Sequence, residues 1–164
     1  MKRLTLKLST LAFVCAISVA TAEAQGRYDR YGYHPSVQAA VSVVQSGSGN
    51  GAGVSQTGVN NAAGINQTGV DNSGIISQTG AANTATIKQV GRNNDASINQ
   101  FGNANTACVV QVGRNLSAGV SQDGNGQNVG VIQTAKGSYV VPAKLCNLDP
   151  TSKGYWQRMG FKGY

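Results

Sequence analysis

The chain contains few of the residues from which catalytic centres, metal sites and large apolar cores are built. It has one histidine and three cysteines, and only 12% of its residues are charged and 6% aromatic. His34 has no acid, thiol or serine near it at a catalytic or metal-binding spacing, and the acidic residues are scattered singly. The sequence therefore predicts no enzyme, no metal site and no cofactor.

The first 24 residues have the pattern of a secretory signal peptide. A basic start is followed by an apolar stretch over residues 8–20 and by small residues at Ala22 and Ala24. Cleavage after Ala24 leaves Gln25 as the first mature residue, and cleavage after Ala22 remains open. The apolar stretch is too short for a membrane anchor, and no later segment is apolar enough to span a bilayer. An exported protein without a membrane span is expected.

The middle of the mature chain is almost free of aromatic side chains. Between Tyr33 and Tyr139 the one aromatic residue is Phe101, and glycine, asparagine, glutamine and serine dominate. Composition alone would predict disorder, because so little apolar surface can be buried. The apolar residues that remain are regularly spaced, however, and this spacing argues for a folded structure.

Glutamine recurs every eleven residues through this region, at Gln45, Gln56, Gln67, Gln78, Gln89, Gln100, Gln111, Gln122 and Gln133. Two residues before each glutamine stands valine or isoleucine, and four before it stands a small or β-branched residue. Six residues before it, most units have asparagine, at Asn50, Asn61, Asn72, Asn83, Asn94 and Asn105. Because side chains alternate along a strand, these four positions share one inward face and the residues between them face solvent.

A fixed period of this kind predicts units that stack on their neighbours. Glycine two residues after the glutamine favours a tight turn, so each unit is predicted to be one short strand and one turn. Two units make a coil, and units of like parity then lie about 4.8 Å apart in one sheet. The predicted fold is all-β, a flat two-sheet β-solenoid over residues 37–135. Glutamine stacks on glutamine and asparagine on asparagine, which avoids a cost of about 1–3 kcal/mol for each buried unpaired amide group.

The two ends of such a stack leave backbone and amide groups unpaired, and soluble solenoids cover them with caps. Residues 25–36 have no helical periodicity, so they are predicted to be a flexible arm and a poor cap. The basic aromatic tail over residues 136–164 is interrupted by Pro142 and Pro150 and is able to fold over the last unit. At least one end is therefore expected to accept another copy, and the glutamine and asparagine ladders are expected to guide polymerisation into cross-β amyloid fibres.

Most of the net charge of +7 lies at the ends of the chain rather than in the repeats. A basic tail with aromatic residues could contact anionic surface polymers, lipid headgroups or nucleic acid, but ordinary solvated charges explain it as well. Nucleic acid is not predicted as a specific ligand.

The pattern Gln-x-Gly-x2-Asn-x-Ala-x3-Gln resembles the curlin repeat of curli fibre subunits. The units that begin at five glutamines meet it in full: Gln45, Gln56, Gln78, Gln89 and Gln100. Three other units depart from it, with Gly74 for alanine, Leu116 for asparagine, and Gln127 with Val129 in the last unit. The resemblance covers about residues 37–135.

The resemblance to curlins implies an extracellular functional amyloid at the surface of a Gram-negative bacterium, with roles in adhesion and biofilm matrix. It implies secretion as an unfolded chain through a curli-type outer-membrane pore. Its implied partners are further copies of the chain, a second curlin subunit and host matrix proteins. The regular central repeats favour the major fibre subunit, whereas the decay of the motif in the last units and the basic tail would suit the minor, nucleating one.

A binding module is the alternative to a fibre subunit. In it the same β-solenoid stays a secreted monomer, and its flat serine and threonine face binds a glycan, ice or a host protein. Thr57 and Thr79 give a short array on such a face, but the next two equivalent positions are Phe101 and Asp123.

Two arginines occupy equivalent positions in units 22 residues apart and are expected to stack with like charges close together. These are Arg92 and Arg114, and Asp71 and Asp95 are expected to offset them in part. One hypothesis is that these four charges are gatekeepers that slow polymerisation until export is complete. Ordinary solvated turns are the other interpretation.

Cys108 and Cys146 are the two thiols of the mature chain, and an exported protein can oxidise them. Cys108 has outward parity, so the tail could fold back and form a disulfide there. Two unpaired thiols remain the alternative, because the sequence does not give their separation.

Overall fold

The computed structural model describes residues 39–147. The predicted signal peptide, the arm over residues 25–36 and the tail after residue 147 lie outside the described residues. Strands follow one another at the predicted period, and a short 3-10 helix ends the described span. The elements are β1 (Ala40–Ser48), β2 (Gly51–Val59), β3 (Ala62–Val70), β4 (Ser73–Ala81), β5 (Thr84–Arg92), β6 (Asp95–Asn103), β7 (Thr106–Arg114), β8 (Ser117–Asp123), β9 (Asn128–Thr134), β10 (Gly137–Val141) and the 3-10 helix (Ala143–Asn147).

Successive strands alternate between two sheets. The first sheet has the order β1-β3-β5-β7-β9-β10, and the second has the order β2-β4-β6-β8. Strands β1 to β9 pair in parallel with the strand two units away, with equivalent residues opposite each other, as Gln45 is opposite Gln67. The chain therefore winds into a β-solenoid of about four turns, and the predicted all-β two-sheet solenoid is confirmed.

The core lies between the two sheets and consists of thin rows of equivalent side chains. Ile65 and Ile87 are buried from the first sheet, and Ile76 and Ile98 are buried from the second. Small residues such as Ala85 fill the row beside them. A one-residue slip would turn these isoleucines to solvent, so the apolar rows fix the register of every strand.

The glycines have a different role from the one predicted. Those that stand two residues after a ladder glutamine lie inside strands from Gly47 to Gly113, while Gly124 lies in the bend after β8, and Gly69 has a φ of 124°. A Cβ atom there would collide with the carbonyl oxygen of Gly91 on the next rung. The left-handed turn residue stands two positions later and is often not glycine: Asn60, Asp71, Ala82, Asn93, Ala104 and Asn115. The glycines two residues after a ladder glutamine, from Gly47 to Gly102, are thus needed because stacked rungs approach too closely for a side chain.

The outer face of the first sheet is covered at its C-terminal end. Strand β10 pairs antiparallel with β9, and the 3-10 helix folds back over β7 and β9. Val110 and Ile132 have outward parity but are fully buried beneath this segment. The expectation that outward residues face solvent therefore fails at this end, because the tail covers them.

Candidate assembly interface: the amide ladders and their two ends

Glutamine side chains form two continuous hydrogen-bonded ladders along the solenoid. In each pair the Nε2 group donates to the Oε1 atom of the glutamine 22 residues later, as Gln67 donates to Gln89 at 2.8 Å. The same bond joins every successive pair in both sheets, with donor–acceptor distances of 2.6–3.0 Å. Both ladders run in one direction, so each has a donor end and an acceptor end.

Each ladder glutamine from Gln56 onward also bonds across the solenoid to the opposite sheet. Gln67 Nε2 donates to the carbonyl oxygen of Gly51 at 2.8 Å, and Gln89 Nε2 donates to that of Ser73 at 2.7 Å. In every case the acceptor is the carbonyl oxygen of the first residue of the preceding strand. Sequence reasoning missed these bonds, because their acceptors are backbone carbonyls of residues that differ from unit to unit.

The asparagines bond mainly to the backbone. Their Nδ2 groups donate to a glycine carbonyl 19 residues later at 2.8–3.3 Å. Their Oδ1 atoms accept the backbone N–H of the residue 22 positions later at 3.0–3.3 Å. Among these six inward asparagines of the described residues, direct side-chain bonds join Asn50, Asn72 and Asn94. The asparagines therefore hold the turns of neighbouring coils together.

The N-terminal end of the stack presents an unused acceptor. Gln56 is the first glutamine of the second sheet and is 9% exposed. Among the described side chains its Oε1 is the buried polar atom without a hydrogen-bond partner. Every later glutamine receives a bond at this atom from the rung before it. In the first strand, Val44 is 54% exposed and Gln45 only half-buried. Among the described residues, this end therefore has the acceptor of an internal rung without the donor that precedes it elsewhere in the ladder.

The C-terminal end presents the complementary donor. Gln133 ends the ladder of the first sheet, and its Nε2 donates to the carbonyl of Ser117 at 2.8 Å. An amide nitrogen carries two N–H donors, so the ladder direction leaves a donor at this end. Leu116 and Gln127 occupy the asparagine positions here, so the backbone-bonding asparagine columns end before the glutamine ladders do.

The two mature cysteines meet in a disulfide at the C-terminal end. Cys108 on β7 is bonded to Cys146 in the 3-10 helix, with 6.2 Å between their Cα atoms. Lys88 Nζ donates to the Cys146 carbonyl at 3.1 Å, and the backbone N–H of Ala143 donates to Asn128 Oδ1 at 2.7 Å. The buried pair Val110 and Ile132, which the sequence reasoning did not single out, packs against this segment. Their apolar character at outward positions of two adjacent rungs was the available signal.

The four proposed gatekeeper charges lie at the ends of strands or in the adjoining turn. Arg92 and Arg114 are directly opposite each other in the pairing of β5 with β7, and both are exposed. The residue opposite Arg92 one coil earlier is Val70, so Asp71 is offset by one position. Asp95 begins β6 in the other sheet, opposite Ser73. The structure thus brings the arginines together and places neither aspartate in register with them.

The repeats of this chain are similar to a known protein family. A family model described as the curlin associated repeat matches residues 40–69, 70–102 and 102–134. No curated protein is significantly similar to the chain in sequence. Within residues 39–147 no helix has the length and apolar character needed to span a membrane. The matched segments take in all nine parallel strands and both glutamine ladders.

Proposed function

Because the chain belongs to the curlin family, whose members are extracellular curli fibre subunits, we propose that it is a structural subunit of curli-like amyloid fibres. The match to the family model confirms the resemblance predicted from the repeat pattern. The family is a structural one rather than a family of enzymes, and the ladders on both sheets serve assembly rather than chemistry.

The observation that carries this proposal is the unpaired Oε1 atom of Gln56. A buried acceptor without a donor costs about 1–3 kcal/mol. The Nε2 group of a ladder glutamine on a second copy is the donor that fits it, since the same bond is made at every internal rung. Stacking of copies end to end therefore completes the ladder and removes this cost. The exposed parallel edges of β1 and β2 would gain backbone partners in the same step.

Fibre formation by the purified protein tests this function. Mature protein with reduced cysteines, diluted from denaturant, is expected to form thioflavin-positive fibres after a lag, and preformed fibres are expected to abolish the lag. The physical reason is that the first rungs must pair before any ladder exists, whereas a seed presents them ready made. A stable monomer under these conditions would contradict the proposal.

The cellular setting is part of the same proposal. Residues 1–24 direct export, and the chain crosses the outer membrane of a Gram-negative bacterium through a curli-type pore before it folds. At the cell surface it polymerises with its own copies and with a second curlin subunit, serves adhesion and biofilm matrix, and binds host matrix proteins. The regular central strands support the role of major subunit. Deletion of residues 25–35, with export followed, tests whether the arm is a secretion tag.

The alternative of a monomeric binding module gains no support from the threonines on the outer face of the second sheet. The register of the second sheet places Phe101 beside Thr79 and Asp123 beside Phe101. The threonine array on this face is therefore only Thr57 and Thr79, which are opposite each other. An array of two is too short to match a repeating ligand surface.

The stacked arginines support the gatekeeper hypothesis in a narrower form. Like charges directly opposite in a sheet cost about 0.2–1 kcal/mol, and here neither aspartate lies in register to offset them. The double replacement Arg92→Asn, Arg114→Asn is expected to shorten the fibrillation lag, by about twofold to fivefold. Lag times measured by thioflavin fluorescence at low salt check this. The matched control is Asp71→Asn with Asp95→Asn, and an unchanged lag in the arginine variant would sink the idea.

A further inference from the structure

The number of parallel strands decides how a second copy must be placed. Successive strands alternate between the sheets, and the nine parallel strands end in the same sheet in which they begin. A copy that continues the solenoid after β9 therefore begins in the second sheet. The β1 of the second copy lies beside β8 of the first, and the β2 of the second copy lies beside β9 of the first. This placement requires a half-turn about the fibre axis between the two copies. In this arrangement Gln133 Nε2 of one copy is the ladder donor for Gln56 Oε1 of the next.

Strand β10 already occupies the place beside β9. It runs antiparallel over five residues, whereas the rungs within the stack are parallel and mostly nine residues long. Its Ser138 is opposite Gln133, where the ladder needs a glutamine. The inward residue Val140 is 78% exposed, because the second sheet ends at β8 and provides nothing opposite it. A second copy can therefore pair its β2 with β9 only if β10 leaves.

The disulfide holds β10 in this place. The segment that contains β10 is anchored at one end by β9 and at the other by Cys146, which is bonded to Cys108 on β7. The 3-10 helix is held further by the bond from Lys88 and by the buried contacts with Val110 and Ile132. Without the disulfide these remaining contacts are reversible. The nine-residue β2 of a second copy can then compete with β10 for pairing with β9.

We propose that the Cys108–Cys146 disulfide locks β10 and the 3-10 helix as a cap that closes the C-terminal end of the solenoid to a second copy. The inference rests on the proposed function. An oxidised chain still presents its open N-terminal end, which docks on the uncapped C-terminal end of a reduced copy. Once docked, it offers no place for the next chain. Oxidised chains therefore terminate fibres that reduced chains extend.

Reduction releases the cap through a balanced exchange. An added dithiol such as dithiothreitol supplies two electrons and two protons, which convert the disulfide into two thiols. The dithiol is itself oxidised to a cyclic disulfide. No other part of the chain needs to change, because the ladders contain no cysteine.

A mixing experiment tests the cap. The variant Cys108→Ser, Cys146→Ser is the elongating species, and oxidised wild-type protein is added to it in substoichiometric amount, with seeds present. We expect oxidised protein to lower the elongation rate severalfold and to shorten the fibres, and to form few fibres alone. Addition of dithiothreitol is expected to remove the inhibition, while the serine variant alone is unaffected by it. Reduced wild-type protein serves as a second elongating species. It shows whether a result depends on the two serine substitutions rather than on the absence of the disulfide.

The outcomes separate this inference from the proposed function. If oxidised protein elongates seeds as fast as the serine variant and the reduced wild type do, the cap is overturned and the fibre function stands. Inhibition that persists in dithiothreitol would also overturn it, because the cap would then not depend on the disulfide. If neither the serine variant nor reduced wild type forms fibres, the proposed function and the cap both fail.

Discussion

Replacement of Gln89 by alanine is expected to destabilise the folded stack by about 3 kcal/mol or more. The side chain is fully buried, and its Nε2 lies within hydrogen-bonding distance of Gln111 Oε1 at 2.8 Å, Ser73 O at 2.7 Å and Asn94 O at 3.1 Å. Its Oε1 accepts from Gln67. Alanine would leave Gln111 Oε1 without its donor and a cavity between the sheets. The ladder would be cut in its middle.

The comparison variant for Gln89→Ala is Ser77→Ala, which removes an outward side chain from a central strand of the other sheet. We expect Ser77→Ala to change the denaturant midpoint of fibres and the elongation rate little, and Gln89→Ala to lower both strongly. Thioflavin kinetics and fibre dissociation in guanidinium chloride provide the two measurements. Equal effects of the two changes would mean that the assignment of inward and outward faces is wrong.

Replacement of Gly91 by alanine is expected to have the second largest effect. Gly91 has a φ of 133°, and a Cβ atom would collide with the carbonyl oxygen of Gly113 on the next rung. Backbone strain of this kind costs about 1–3 kcal/mol, and the collision would also separate two rungs that must remain paired. The denaturant midpoint should therefore fall and the lag lengthen.

Gly64 provides the matched control, because it lies in a neighbouring strand at a position with ordinary space. The nearest atom to a Cβ there is Thr86 Oγ1 at 4.0 Å, and its φ is not left-handed. Gly64→Ala is expected to be neutral or to stabilise the folded state by up to about 1 kcal/mol, because it restricts the unfolded chain. If Gly91→Ala were as mild as Gly64→Ala, close approach of the rungs would not be the reason for glycine.

The parallel stack was predictable because one period determines both its strands and its register. Glutamine and isoleucine two residues apart must face the same way, and a unit of eleven residues reverses the chain so that equivalent residues meet after two units. The pairing of Gln67 with Gln89 and of Ile65 with Ile87 follows from this alone. The family resemblance rests on the same residues.

The role of the glycines in close stacking was not predictable from the repeat. The hydrogen bonds from the glutamines to backbone carbonyls of the opposite sheet were not predictable either. Glycine permits both a turn and a close approach of backbones, and a sequence pattern does not distinguish the two uses. The carbonyl acceptors of the glutamines belong to the backbone and leave no trace in side-chain identity. Both features depend on how closely two coils stack, which is a property of the folded solenoid.

The C-terminal cap could have been recognised only in part. Val110, Ile132 and Cys108 are apolar or weakly polar residues at outward positions of adjacent rungs in one sheet, and this indicates that something covers them. The identity of the covering segment depends on a contact between positions 38 residues apart in sequence. No periodicity connects those positions, because the tail lies outside the repeat.

The structure of fibres grown from the Cys108→Ser, Cys146→Ser variant tests most directly whether copies continue the solenoid. Helical reconstruction by electron microscopy is expected to show two sheets with rungs about 4.8 Å apart and glutamine columns that run unbroken through the subunit boundaries. At each boundary Gln56 should follow Gln133, with a half-turn between copies. Subunits that meet through their sheet faces, or glutamine columns interrupted at every boundary, would contradict the account.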